Sequence, residues 1–584
     1  MSTQSSEKLG LGLSGGGFRA SFYHIGILAQ MAEQGLLRSV EVISTVSGGS
    51  VIGALYYLHL KKLLESKVDD DITDQDYIDI VKIIEVDFLK ATEKNIRMAT
   101  FGNFIKNFKM LISSNYSRSS RIAELYNDYF YQSVLEDESN PIEMQNLKIY
   151  PPGCESNFFP RKDNATRSAK VPILILNATT LNGGRNWQFT AQTMGEPSNY
   201  IPDTASKFIY IDKKPIRLRR ARNGYQSMVK QQQHISLGHA VAASASVPGL
   251  FSPLSIKGLY DNRDKEEEVT PQLVDGGVFD NQGTESLLNN DCTQFIISDA
   301  SGQMGFESQV DTKPIPTLLR VSTILQDRAR TEGLLHLIAR TDNIDNIAFM
   351  NLRKGLEVRE ISWNNEYNEP AEKDEIFEST TNAFGVNDKV QEKLSKMRTD
   401  LDAFTEVEAY SLMRDGYLMS ATELSQLKQT SKENKTQAPP KVSWAFNQIA
   451  PWMNKPTPDY LKQLDVAQST FGKVLQIFVW LWIPIILAIG GLLYYYWPEL
   501  QQFVLSSFPV YPIVIILALW IANKFALTLL TLLPFLNFLR APFQGVKGFI
   551  KAVIFSPGAI FIRIYLLCFN PLYLAQGRIA KLKK

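Results

Sequence analysis

The chain has few of the residues that staple a protein or hold a metal. Its 584 residues include three cysteines, Cys154, Cys292 and Cys568, far apart and without CxxC spacing. That gives neither a disulfide framework nor a metal-ligand pattern. Of the five histidines (His24, His59, His234, His239 and His336) none stands in an evident catalytic context, and His24 and His59 fall inside apolar helical runs. The N-terminus, "MSTQSSEKLGLGLSGGG", lacks a basic segment followed by an apolar one, so no secretory signal is read and this end is expected in the cytosol. Net charge is only +1, which argues against a polyelectrolyte partner such as nucleic acid.

One further absence is local. From Leu500 to Lys584 there is no acidic residue, against nine Lys or Arg. Taking these from the totals of 61 basic and 60 acidic residues leaves 52 against 60 in residues 1–499, a net of −8. An acidic body thus carries a basic, apolar tail. Val474–Trp497 is a run of 24 residues without a charge, long enough for a helix to cross a bilayer, which needs about 20. A second apolar stretch runs from Phe503 to Asn523. Basic residues flank the pair and are missing between them, so a transmembrane hairpin with both flanks cytoplasmic is expected. Further apolar segments follow to Gly577, interrupted by Pro534, Pro557, Arg563 and Pro571. Residues 431–465, polar and rich in proline, read as a linker.

Upstream lies a body of about 430 residues. "LGLGLS", "VEVISTV", "VPILILNATT" and "QFIISDA" are strand-like, and helical runs follow the first two. This alternation predicts an α/β fold with a mostly parallel sheet, whose reactive groups gather beyond the C-terminal ends of strands.

Three stretches fall at such ends. In "VEVISTVSGGSVIGALYYL" a strand ends at Val46, Ser47 follows, and Gly48 and Gly49 open a helix. That is the setting of a nucleophile elbow, although Thr45 stands where the G-x-S-x-G pattern has its first glycine. By itself the turn also fits a simple loop or N-cap. "PQLVDGGVFDNQG" places Asp275 at a strand end before two glycines, as a base or as a turn residue. "LGLGLSGGGFRA" runs a strand into a helix through Gly15, Gly16 and Gly17. Successive N–H groups of this kind form a nest for an anion, but the lysine of a P-loop is missing. Arg19 either holds an anionic headgroup or braces the turn.

Taken in order, "SGGGFRA" (14–20), "TVSGGS" (45–50), "AVAASASVPGLFSP" (240–253) and "LVDGGVFDN" (273–281) resemble the patatin-like phospholipases over roughly residues 8–300. The resemblance implies a three-layer α/β/α domain with a Ser47–Asp275 dyad. It also implies an oxyanion hole from Gly15, Gly16 and Gly17, and hydrolysis of lipid acyl esters without metal or cofactor. Residues 301–430 are expected to form a helical extension and 466–584 an α-helical membrane region. Together these features predict an integral membrane protein with its catalytic domain on the cytoplasmic side, membrane lipids as substrate and no nucleic-acid partner. A phospholipase A or lysophospholipase is one reading. A glyceride lipase or acyltransferase with the same dyad is another, and a membrane effector whose hydrolase domain is regulatory is a third. Between the nucleophile helix and the next strand, residues 90–121 hold seven Lys or Arg and one acid. Apolar residues there recur at helical spacing, which fits a lid, a membrane-surface helix or a packed helix with a basic face.

Overall fold

The computed structural model describes residues 7–583, apart from 113–115, 136–140, 155–156, 198–216, 222, 263–266, 303, 371, 373–375, 378–384, 431–441, 471 and most of 479–561. The chain divides into two compact units. The larger comprises residues 1–100, 117–470 and 574–584; the smaller comprises 101–116 and 471–573.

The larger unit is built on a sheet that has nine strands among the described residues. They are β1 (Leu9–Leu13), β2 (Val40–Val46), β3 (Ile173–Thr180), β4 (Arg185–Phe189), β5 (Met194–Gly195), β6 (Leu254–Ser255), β7 (Gln272–Asp275), β8 (Gln294–Asp299) and β9 (Ile347–Asn351). The order is β9-β8-β1-β2-β3-β4-β5, parallel from β9 to β3. β4, β5, β6 and β7 run antiparallel. β9 lies beyond the 8–300 stretch, so the 301–430 extension is not only helical: it supplies an edge strand to the main sheet.

The sequence of β1, LGLGL, sets up the two faces. Leu9, Leu11 and Leu13 point into the larger core, where α1 (Gly17–Glu33), α2 (Gly48–Ser66), α3 (Asp74–Glu93) and α7 (Glu406–Thr430) pack. The glycines between them face α5 (Thr284–Leu288). A methyl on Gly10 would sit 2.9 Å from Cys292 Sγ and 3.0 Å from Leu287 Cδ2. On that face a smaller core joins Val42, Ile175, Leu287 and Ile297 to Leu337 of α6 (Pro314–Arg340). Helices therefore cover both faces, as α/β layering requires. α1 is buried along nearly its whole length, between the sheet and α7, which explains why its sequence is apolar all round.

The predicted linker is packed from residue 444 onward. Short helices at Ala445–Ile449, Ala450–Asn454 and Pro458–Val466 bury Trp444, Phe446, Met453, Tyr460 and Leu464. Trp444 stacks on Phe446 and donates through Nε1 to Glu33 Oε1 at 2.7 Å, while the Phe446 N–H donates to Glu85 Oε1 at 2.6 Å. Pro451 and Pro458 stand in the first turns of the second and third helices, and the aromatics anchor the segment. The C-terminal residues also belong to this unit. Ile579 N–H donates to Glu406, Val407 N–H to the Gly577 carbonyl, and Trp452 Nε1 to the Lys583 carbonyl.

In the smaller unit, Phe104–Ile112 forms the helix expected from the basic amphipathic stretch, with Lys106 and Lys109 over the Tyr116 ring. Arg563 Nε donates to the Gly102 carbonyl at 3.0 Å, and Lys473 lies over Tyr573. Of the predicted span 474–497 only the start is described as a continuous helix, Lys473–Ile477. The second span, 503–523, lies outside the described residues. Among the described residues no helix is long and apolar enough to cross a membrane.

If the 444–466 segment is an integral part of the larger unit, Trp444→Ala should cost about 3–5 kcal/mol. The expected reading in urea unfolding is a lower midpoint for the main transition. A midpoint equal to that of the parent would mean that the segment is merely tethered.

Candidate functional site

The sheet brings Ser47 and Asp275 together by meeting two strands end to end. β2 runs along β3 until Val46 stands opposite Asn177. β4 occupies the other flank of β3. β7 approaches on the β2 flank from the opposite direction and ends with Asp275 opposite Ala178, one register position further on. The last residues of two opposed strands thus face one another, and the Ser47 hydroxyl lies within hydrogen-bonding reach of the Asp275 carboxylate.

Ser47 holds φ 50° and ψ −118°, a backbone region that a side chain enters at a cost of about 1–3 kcal/mol. Its surroundings hold it there. The Ser47 N–H donates to Ser244 Oγ at 3.0 Å, Ser244 Oγ donates to the Asn177 carbonyl at 2.5 Å, and Ser50 Oγ lies 2.8 Å from Ser244 Oγ. Gly49 N–H donates to the Ser14 carbonyl. A side chain on Gly48 would collide with the Gly17 carbonyl, and one on Gly49 with the Leu13 carbonyl. Both glycines therefore exist so that the N-terminus of α2 can abut the glycine turn before α1.

Thr45, where the elbow pattern has glycine, is accommodated one turn along α2. Its Oγ1 bonds to Ser50 Oγ and to the Ile175 carbonyl. Its methyl fills the space over Gly53, where a Cβ would stand 2.5 Å from Thr45 Cγ2. The missing glycine has in effect moved to position 53.

The glycine turn divides between bracing and free donors. Gly15 N–H donates to the Asn281 carbonyl at 3.0 Å, so Gly15, expected as an oxyanion donor, is engaged in holding the turn. Gly16 and Gly17 N–H have no acceptor among the described residues, and neither has Gly48 N–H, next to Ser47. Two helix N-termini with open donors converge on the serine, an environment suited to negative charge. Arg19 is a brace and not a headgroup ligand. Fully buried, it donates to the carbonyls of Ala300, Ser395 and Met397 and ties α1 to the loops after β8 and before α7. A guanidinium, with five N–H donors and no acceptor, suits that task.

His24 is a second brace. Its Nε2 donates to the Ser14 carbonyl at 2.9 Å, and its Nδ1 accepts from Ser298 Oγ at 2.5 Å. Burial pushes its pKa down to about 4, so it stays neutral as the packed histidine its sequence context suggests.

Asp275 is nearly inaccessible and its pKa is raised to about 6, first by desolvation, against which the bonds from Ser47 and from Gly277 N–H act. Its carboxylate Oδ1 accepts from Gly277 N–H at 2.8 Å, and Thr179 Oγ1 fixes its carbonyl. Several contributors carried no sequence signal of their own. Asn281 presses its amide against Gly15 and Gly277 alike, which links the two glycine turns. Asp280 accepts the N–H groups of Gln282, Gly283 and Glu285 and shapes the loop. Tyr126, fully buried, keeps a hydroxyl without a partner in the electrostatic field of Asp275. Ser244 lay inside the alanine-serine block, but its bond to the elbow depends on the fold.

Two expectations follow. Gly53→Ala should destabilise by about 1–3 kcal/mol through overpacking. Adding Thr45→Ser, which removes Cγ2 and keeps Oγ1, should recover most of that loss; additive losses in a thermal unfolding cycle would refute the contact. Because the Asp275 pKa is higher folded than unfolded, its contribution is full below the unfolded value of 3.8 and is lost as pH rises through about 6. Asp275→Asn should therefore stabilise the protein at pH 8, by at most about 3 kcal/mol, and leave stability nearly unchanged at pH 3.5.

Comparison with known protein families matches residues 11–288 to the patatin-like phospholipase family. No curated protein matches the chain. Among solved structures, human GIVD cytosolic phospholipase A2 in complex with methyl γ-linolenyl fluorophosphonate and terbium chloride is 12% identical with a TM-score of 0.34, over 72% of this chain and 58% of that one. VipD from Legionella pneumophila is 14% identical with a TM-score of 0.23, over 72% and 67%. The type III effector ExoU is 13% identical with a TM-score of 0.20, over 81% and 75%. The chain spans under two thirds of the human phospholipase A2. The family match rests on the segment that contains the glycine turn, the Ser47 elbow and the Asp275 strand end: residues 11–288 of this chain are a patatin-like phospholipase domain.

Proposed function

We propose that the chain hydrolyses acyl esters of membrane lipids through Ser47 and Asp275. The observation that carries this reading is the convergence of a strained serine, a buried carboxylate and three unengaged N–H groups at the meeting point of β2 and β7.

The chemistry follows from the geometry. Asp275 takes the proton of Ser47 as Oγ attacks the ester carbonyl carbon. The carbonyl oxygen becomes an oxyanion, met by the N–H groups of Gly16, Gly17 and Gly48; each such donor is worth about 10²–10³ in rate. The carbonyl re-forms, the ester C–O bond breaks, and the leaving alcohol takes the proton from Asp275. Water then attacks the acyl-serine while Asp275 accepts its proton, and the fatty acid departs as Ser47 recovers its hydrogen. A carboxylate of ordinary pKa is a feeble base at neutral pH. Desolvation that lifts it to about 6 brings it closer to the working pH while leaving it ionised. Transfer of the acyl group to a lipid alcohol uses the same steps with that alcohol in place of water.

The uncharged run 474–497 and the acid-free tail support placement at a bilayer, with the hydrolase unit on the cytoplasmic side. Tethering to the surface that carries the substrate raises its effective concentration. Retention of the full chain in the membrane pellet after alkaline carbonate washing is expected, and release into the supernatant would overturn the anchoring.

With phospholipid, lysophospholipid and diglyceride vesicles compared side by side, fatty-acid release is expected from at least one class. Ser47→Ala and Asp275→Asn should each lower it at least about 10³-fold. In the parent protein, kcat/KM should rise about tenfold per pH unit below 6 and level off above it. Full activity in either variant would remove the dyad.

A further inference from the structure

At the other end of β3 from the dyad the larger unit holds a cavity of about 270 Å³. It is bounded by the first residues of β3, the turn after β4 and residues 148–150 and 158–161. At the strand rise of about 3.3 Å per residue, Ile173 lies roughly 17 Å along β3 from the register position of Asp275. The walls combine apolar side chains, among them Phe158, Pro172 and Ile173, with three cations, Lys148, Arg161 and Arg220; no Asp or Glu lines it.

The cations lack the counter-charges that cations usually find. Among the described residues Arg161 bonds only to the neutral Asn290 Oδ1, at 2.6 Å. Among the described residues neither the Arg220 guanidinium nor the Lys148 ammonium has a hydrogen bond or an ion pair. The contrast with Arg217 is direct, since that neighbour reaches Glu196 at 3.8 Å. Arg220 is also held in place. Its backbone lies against Gly195, at φ 132°, where a Cβ would stand 2.7 Å from Arg220 Cα. Burial and the nearby Arg161 both act against the charge on Arg220 and push its pKa down. Like charges gathered in a partly desolvated, apolar cavity are costly unless an anion joins them.

We propose that this cavity is a binding site, separate from the dyad, for a single-chain anionic amphiphile: a carboxylate or phosphate head between Arg161 and Arg220 with its apolar tail against Phe158, Pro172 and Ile173. A planar guanidinium pair suits either head, and the small volume limits the tail to one chain. The site does not depend on the catalytic reading, because none of its residues belongs to the elbow, the glycine turns or β7.

The test labels the full chain with decanoate carrying a diazirine on its tail and maps the adducts by mass spectrometry, in the parent and in Ser47→Ala. Adducts are expected in peptides covering 148–175 or 188–193 in both proteins. Decanoate and decyl phosphate should displace the label and decanol should not; the stronger competitor of the two distinguishes a released fatty acid from a lipid phosphate as the natural source. Arg161→Gln/Arg220→Gln should lower labelling of these peptides at least tenfold. Ala191→Trp, which fills the cavity and keeps every charge, should do the same. Hydrolysis of a short soluble ester should change by less than twofold in both variants, which also reports that they are folded. Labelling confined to other peptides, equal displacement by decanol, or undiminished labelling in both variants would overturn the site.

Discussion

The candidate site depends on one topological constraint: two strands of opposite direction share one flank of β3 and stop at adjacent register positions. β2 ends at Val46 opposite Asn177, and β7 ends at Asp275 opposite Ala178. No loop has to carry the serine to the carboxylate. Their approach is fixed by backbone ladders whose hydrogen bonds are themselves buried, so the separation of the two groups is held by the most rigid part of the fold. The remaining features serve that junction. Ser244 and Asn177 hold the elbow, Asn281 couples the two glycine turns, and Arg19 and His24 brace the start of α1 from behind. The buried aspartate is thermodynamically uncomfortable in this position, and its raised pKa is the measure of that discomfort. In the proposed mechanism a carboxylate raised in this way is still ionised near neutral pH and is a stronger base than an ordinary one.

The parts of this arrangement that follow local rules were legible in the amino-acid order. A strand that ends before Ser-Gly-Gly, a strand that ends at Asp-Gly-Gly and a glycine turn between strand and helix each has its own sequence signal. So do the parallel strands and the buried helices between them. The pairing of Ser47 with Asp275, which the family resemblance implied, rests physically on β7 running against β3, and a strand's direction leaves no mark in its composition. The division of labour among the glycines was equally hidden. Gly15, Gly16 and Gly17 look alike in the sequence, but only the fold delivers the Asn281 carbonyl to the first of them. Arg19 was open between two roles until the carbonyls of Ala300, Ser395 and Met397, nearly 300 residues or more away in sequence, closed around it.

The segment 444–466 shows a different kind of illegibility. Its proline content and polar approach match the composition of a connector, and composition is blind to where aromatics land. Trp444 meets Glu33 on α1, and Phe446 meets Glu85 on α3, so the stretch clasps two core helices. Residues 574–584 return to the same neighbourhood through Glu406 and Trp452. Chain on both sides of the apolar 474–561 stretch is therefore anchored in the hydrolase unit.

That double anchorage has an entropic consequence for the stretch between the two ends. A segment attached at one end by a floppy linker leaves its partner free to tumble. A segment whose two ends are both embedded in one packed unit has the span between those ends fixed by the fold, so the entropy of closing that long loop is met once, on folding. The packing of Trp444 and Trp452 therefore closes that loop as well as burying apolar surface. The same logic explains why the C-terminus after a long apolar stretch retains the capacity to cap α7: without that return, the apolar segment would be held by one end only.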